Sequence, residues 1–174
     1  MDLTKLAVKA HENALEKGFW DEKRSDEHCL MLVVSEIGEA VEADRKDRKA
    51  PSRMCMGGKI NTNEYELFVK DTLQDELADT AIRLLDLAGR HAIDFELMNP
   101  CRYVRTFENY TFAENAFALV KGLSTAHISA IKRIQFGLHY LQMWCRQLNI
   151  NLEQHIDYKM KYNAARPIRH GKKY

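Results

Sequence analysis

The residues best suited to chemistry are two pairs of carboxylates at three-residue spacing. One pair is Glu36 and Glu39, in the run Ser35-Glu36-Ile37-Gly38-Glu39-Ala40-Val41-Glu42. The other is Glu76 and Asp79, in Asp75-Glu76-Leu77-Ala78-Asp79. On a helix, residues three apart are surface neighbours, so each pair presents two carboxylates side by side. Two such helices packed together converge four acids on one small volume. Four like charges repel there unless cations neutralise them. Hard oxygen ligands suit Mg2+ or Mn2+, and either ion then binds phosphate oxygens. The same spacing is common on solvated helix faces, so the acids alone leave a surface reading open. Di-iron bundles use ExxH pairs. None occurs in this chain, which favours an all-carboxylate, redox-inert ion.

The surroundings of the acids bear on that choice. Leu30, Val33, Val34, Ile37 and Val41 form the main apolar stripe of the first acidic helix. Leu32 and Ala43 lie on the side of Glu36, and Gly38 and Ala40 are small enough to admit a close helix. On the second acidic helix Leu73, Leu77, Ala81, Leu84, Leu85 and Ala88 form the stripe, with Ile82 and Leu87 outside its centre. Apolar residues on more than one side place these carboxylates in packed surroundings. Buried acids need partners or a metal.

The elements that must position them read as helices. Three prolines and eight glycines punctuate the chain, few enough for long helices. Leu3, Leu6, Ala7, Ala10, Ala14 and Leu15 recur at helical spacing over residues 2–17, and Gly18 ends that run. A second helix is expected from about Glu27 to Lys49, N-capped by Ser25 or Asp26 and stopped by Pro51. Residues 51–68 read as a connector, and a third helix as Val69 to His91. Residues 94–111 read as irregular. Helix returns over about Ala113 to Lys121, then from after Ser124 to about Leu148. Asn151 caps a last helix, which ends near Arg166 because Pro167 follows. One weak echo links Ala92-Ile-Asp-Phe-Glu96 to Asn149-Ile-Asn-Leu-Glu153. It sets Arg133 opposite Glu76 and Phe136 opposite Asp79, a duplication that has lost its acids or a coincidence.

Composition narrows the class. A chain of 174 residues is long enough for one domain with a buried core. A formal net charge of +1 gives no basic excess of the kind a polymeric nucleic-acid binder carries. Cys29, Cys55, Cys101 and Cys145 are far apart and in no CxxC, so neither a disulfide framework nor structural zinc is expected. The N-terminal stretch has no continuous apolar core, so no signal peptide is expected. No run approaches the roughly 18 apolar residues of a membrane span. The expectation is a cytoplasmic, all-α protein without a membrane partner.

Glu36-Ile-Gly-Glu39 followed by Glu76-Leu-Ala-Asp79 resembles the ExxE…ExxD pattern of the MazG-like, all-α nucleoside triphosphate pyrophosphatase superfamily. The ending Lys159-Met-Lys-Tyr-Asn163-Ala-Ala-Arg166-Pro167-Ile-Arg-His170-Gly171 is similar to that group's K…N…RP…HG ending. The likeness covers about residues 27–91 and 150–173. It implies a helical bundle completed by homodimers or homotetramers. It implies Mg2+ held by Glu36, Glu39, Glu76 and Asp79, and cleavage of a (deoxy)nucleoside triphosphate to monophosphate and pyrophosphate. Glu39 or Glu42 would accept the proton of the attacking water. Glu42 is also placed to ligate a second ion or orient the water. His28 stands where relatives set a polar residue toward the substrate, or is a surface histidine in a first turn.

Lys159, Asn163 and Arg166 are four and three apart and share one helix face. Lysine supplies a point charge and arginine a bidentate fork for phosphate oxygens. Arg169, His170, Lys172 and Lys173 add positive charge or form a tail. Residues 94–148 depart from the simplest pattern, replacing a second protomer's helices, covering the site or serving assembly. Phe19, Trp20, Tyr103 and Phe107 are either base-stacking or core aromatics. The competing reading is a catalytically silent helical module for nucleotide sensing or protein contact.

Overall fold

The computed structural model describes residues 1–55, 58–97 and 106–168. Tyr103, Cys101 and the basic residues Arg169, His170, Lys172 and Lys173 lie outside the described residues. Among the described residues eight α-helices follow one another: α1 (Leu3–Glu16), α2 (Asp26–Arg45), α3 (Ser52–Cys55), α4 (Thr62–Phe68), α5 (Leu73–Arg90), α6 (Phe112–Leu123), α7 (Ala130–Gln147) and α8 (Leu152–Ala165). No strand occurs among the described residues, so the all-α expectation holds. No described helix is long and apolar enough to cross a membrane.

Helix α5 is the centre of the bundle. Twelve of its 18 residues are buried, because α1, α2, α7 and α8 all pack on it. Leu77, Ala81, Leu84, Leu85 and Ala88 form its core face, as their spacing requires. They meet Val33 and Ile37 of α2 and Ile134, Leu138, Leu141 and Trp144 of α7 in one apolar cluster. Helices α2 and α5 run antiparallel. Glu36 pairs with Arg83, while Asp26, earlier on α2, reaches Arg90 and His91 further along α5. A second cluster, Met54, Tyr65, Val69 and Tyr158, lies beneath the connector.

Helix α1 crosses α5 at Gly89. A Cβ there would stand 2.5 Å from the Ala7 carbonyl oxygen, so only glycine lets the two backbones approach. Gly38 has no such neighbour: nothing lies within 4 Å of its would-be Cβ, and the close helix contact expected there is absent from the described residues.

Local chemistry moves several boundaries. The expected helix from Val69 begins at Leu73, because Asp71 takes a left-handed φ of 57° and Thr72 caps the next turn, its side chain accepting from the Asp75 N–H. The connector holds two short helices, α3 and α4, the second with an Asn61–Glu64 capping box. Ser124 closes α6, and Ser129, not Ser124, caps α7.

The echo around Ala92 and Asn149 has a structural basis. Helices α5 and α7 are each 18 residues long. Each ends in a left-handed residue, Ala92 (φ 51°) and Asn149 (φ 57°). The next N–H, of Ile93 or Ile150, closes back on the carbonyl of Ala88 or Cys145. Where α5 carries Glu76, α7 carries Arg133, which reaches Glu27. Helices α6 and α7 pack on α2 and α5 within the one chain.

Gly89→Ala should lower stability by about 1–3 kcal/mol, the usual cost of forcing an extra carbon into a tight contact. Chemical denaturation checks this. An unchanged midpoint would show that the α1–α5 crossing is looser than its geometry.

Candidate functional site

Helix α5 begins with acids. Asp75 and Glu76 sit in its first turn, where the positive end of the helix dipole favours negative charge. Asp79 follows one turn later. Across from them α2 contributes Glu36, which is 3% exposed despite its charge. Oxygens of Glu36, Glu76 and Asp79 lie within 4.8 Å of one another. Three of the four carboxylates expected to converge therefore do so. Glu39 is exposed beside them, close enough for its charge to act on Glu36 and Glu76. Glu42 stays outside the group. Arg45 at 3.0 Å and Lys46 at 2.9 Å hold it at the surface and lower its pKa, the Lys46 hydrogen bond most.

Helix α8 brings Lys159 into this acid group. Its Nζ is 2.9 Å from Asp75 Oδ2 and 2.6 Å from Asp79 Oδ2, and the residue is 6% exposed. Burial works against the ammonium, but Asp79 and Asp75 overcome it and raise the Lys159 pKa. Arg83, one turn beyond Asp79, donates from Nε and Nη2 to Glu36 Oε1, both at 2.5 Å. Tyr65 donates its hydroxyl to Asp75, and the Asp71 N–H donates to the other Asp75 oxygen at 3.0 Å. Asp75 is thus fully engaged and holds the helix start and Lys159 in place.

Glu76 differs from its neighbours. Its carboxylate has no hydrogen bond or ion pair among the described residues, although it is 5% exposed. Burial, then the charges of Asp75 and Asp79, push its pKa up to about 8. Burial also raises Glu36 and Asp75, against the pull of Arg83 and Lys159 respectively. Four buried or half-buried acids face two cations here, so acids outnumber the cations that could neutralise them. An unpartnered buried carboxylate beside two more fits a hard divalent cation.

The acid group opens into a cleft of about 850 Å3, counting its open mouth. Glu36, Asp79, Lys159, Asn163 and Arg166 line it together, so part of the expected metal set and the whole expected cationic face meet in one place. Asn163 is largely buried and its Oδ1 has no hydrogen-bond partner among the described residues. Lys17, the C-cap of α1, donates to the Ala164 and Arg166 carbonyls, both at 2.7 Å, and fixes the end of α8. Phe19 and Trp20 line the far wall with Cys29 and Leu32. His28 is half-buried in the first turn of α2 and does not line the cleft. Phe107 is a core residue, packed edge-on against Tyr140 at 5.0 Å. Arg83, Arg24 and Asp86 also line the cleft and were not singled out from the sequence. The available signal was spacing: Asp79, Arg83 and Asp86 follow at helical intervals on one face. Comparison with protein-family models, curated proteins and solved structures finds no match to this chain.

The raised pKa of Glu76 has a definite sign for stability. Between its ordinary 4.5 and about 8, the folded chain keeps a proton that the unfolded chain releases. The cost of ionising Glu76 therefore grows as pH rises through that window and is complete above it. In EDTA, Glu76→Gln should raise Tm at pH 9 by roughly 2–4 °C per kcal/mol recovered, and much less at pH 5. Scanning calorimetry at both pH values checks this. Equal shifts would mean that the glutamate is not strained by its charge.

Proposed function

We propose that this chain is a magnesium-dependent nucleoside triphosphate pyrophosphohydrolase of the MazG-like kind. The observation that carries the reading is the shared cleft, in which an over-charged acid group adjoins Lys159, Asn163 and Arg166. Glu36, Glu76 and Asp79 would hold Mg2+ or Mn2+, with Glu39 completing the set from the rim. A bound ion of this kind supplies charge neutralisation at phosphate oxygens and lowers the pKa of a ligated water.

The chain's own groups do the rest. Water adds to phosphorus, the anhydride bond between the α- and β-phosphates breaks, and pyrophosphate leaves with the bridging oxygen. Glu39 accepts the proton of that water, being near the acid group and open to solvent. Glu42 is the poorer acceptor because Arg45 and Lys46 stabilise its ionised form. Lys159, oriented by Asp75 and Asp79, and Arg166 at the rim stabilise charge that develops on the phosphates. Asn163 offers Oδ1 and its amide to sugar or phosphate.

A second reading has one observation in its favour. Lys159 and Arg83 already pair with Asp79 and Glu36, so protein cations partly serve where a metal would. A silent nucleotide-sensing module would then bind nucleotide without turnover.

Pyrophosphate release from a panel of dNTPs with Mg2+ separates the two. Glu39→Ala and Asp79→Asn should each lower turnover at least about 100-fold while helical content by circular dichroism stays intact. Full activity in either variant would sink the carboxylate–metal scheme. Association into a homodimer or homotetramer belongs to the same proposal, and Met31 and Phe117, 60% and 71% exposed, offer apolar contacts for it. Light scattering on the purified protein should give a mass of two or four chains. A monomer would remove that part.

A further inference from the structure

The cleft has a second polar end, away from the acids. Along α5 the lining residues are Asp79, Ile82, Arg83 and Asp86, and along α2 they are Glu36, Leu32 and Cys29. From Asp79 to Asp86 is about 10 Å along the helix axis. The cleft therefore runs from carboxylates and Lys159, past apolar Leu32 and Ile82, to a far end built by Asp86, Arg24 and Trp20. That sequence of environments suits a nucleoside lying along it, with its phosphates at the acid end.

The far end is pre-organised. Asp86 accepts from His11 Nδ1 at 2.7 Å and from Trp20 Nε1 at 2.9 Å, and both bonds fall on Oδ1. Oδ2 has no hydrogen bond among the described residues. The indole bond fixes the Trp20 ring, over which the Arg90 guanidinium lies at 4.7 Å. Arg24 Nη2 is buried, also without a hydrogen-bond partner among the described residues. Cys29 lines the cleft with both groups: burial and then the Asp86 charge raise its pKa, and the Arg90 and Arg24 charges lower it. An acceptor-only carboxylate oxygen and a donor-only guanidinium thus face one aromatic-walled space.

We propose that this end selects guanine, with Asp86 Oδ2 accepting from the N1–H and 2-amino edge, Arg24 donating to O6 or N7, and Trp20 against the ring face. This rests on the nucleotide reading above and names the substrate class within it. Guanine alone among the four bases sets two neighbouring donors beside two acceptors, O6 and N7. Adenine offers one amino group, and the pyrimidines offer one donor edge and a smaller ring. A site built to bond a polar group discriminates strongly against the analogue lacking it, because its own groups are then left unpaired.

The test compares dGTP with dITP, which lacks only the 2-amino group, and with dATP, dCTP and dTTP, by pyrophosphate release with Mg2+. In the wild type kcat/KM should favour dGTP over dITP at least tenfold and over the other three by more. Asp86→Asn keeps Oδ1 for His11 and Trp20 but turns a donor toward the base. It should erase the dGTP-over-dITP preference with Tm nearly unchanged. Arg24→Gln, which leaves the Asp86 bonds alone, should lower kcat/KM for dGTP at least tenfold and serves if Asp86→Asn fails to fold. Equal use of dITP, preference for another base, or a folded Asp86→Asn that keeps the preference overturns the proposal. Calorimetry with dGMP and dIMP separates it from the hydrolase reading. Tighter dGMP binding, lost in Asp86→Asn, supports base selection even where no nucleotide is cleaved. Pyrophosphate release without base preference leaves the hydrolase standing and removes the selection.

Discussion

The structure turns on one electrostatic constraint: more carboxylate is buried at the meeting of α2, α5 and α8 than the chain's own cations neutralise there. Desolvating a carboxylate is costly, and three of the four acids here are held by partners. Asp75 receives Tyr65, a backbone N–H and Lys159. Asp79 shares Lys159, and Glu36 takes Arg83. Glu76 has none of these. The packing follows from the same arrangement. Lys159 ties α8 to α5, Arg83 ties α5 to α2, and Tyr65 ties the connector helix to the start of α5. On the proposed reading, the unmatched Glu76 is where an external cation would be taken up.

The charge imbalance is also one-sided within the bundle. Helices α5 and α7 share length and C-terminal geometry, yet α7 carries buried Arg133 and half-buried Phe136 where α5 carries Glu76 and Asp79. The α6–α7 half supplies aromatic packing instead. Phe107, Phe112, Phe136, Tyr140 and Trp144 contact one another there, and the Tyr140 hydroxyl donates to the Asn115 carbonyl at 2.7 Å. One half of the bundle thus carries the aromatic packing and the other the acids. The wall opposite the acids comes from α1 and the Gly18–Trp20 turn, where Gly18 takes a left-handed φ of 72°.

Much of this arrangement is legible in the residue pattern. Helical spacing placed Glu36, Glu39, Glu76 and Asp79 on faces able to converge, of which Glu36, Glu76 and Asp79 do, and it put Lys159, Asn163 and Arg166 on one side of the last helix. Apolar periodicity marked α5 as a core helix; the Asn151 cap was legible because capping is local chemistry, and the structure chose Ser25 over Asp26 for α2. The break at Asp71-Thr72 was obscured, since Leu67, Phe68 and Val69 continue an apolar pattern into Leu73 while the chain reverses between them. Only the tertiary structure decided which faces meet. It showed Lys159 inside the acid group and not merely beside it. It removed Glu42 to a surface ion pair and assigned Phe107 to the core. It also brought Arg24, Trp20 and Asp86 to one end of the cleft. The physical reason is that spacing fixes which residues share a face. The partner of that face is set by packing between elements far apart in the chain, and so is the burial that makes a carboxylate unusual.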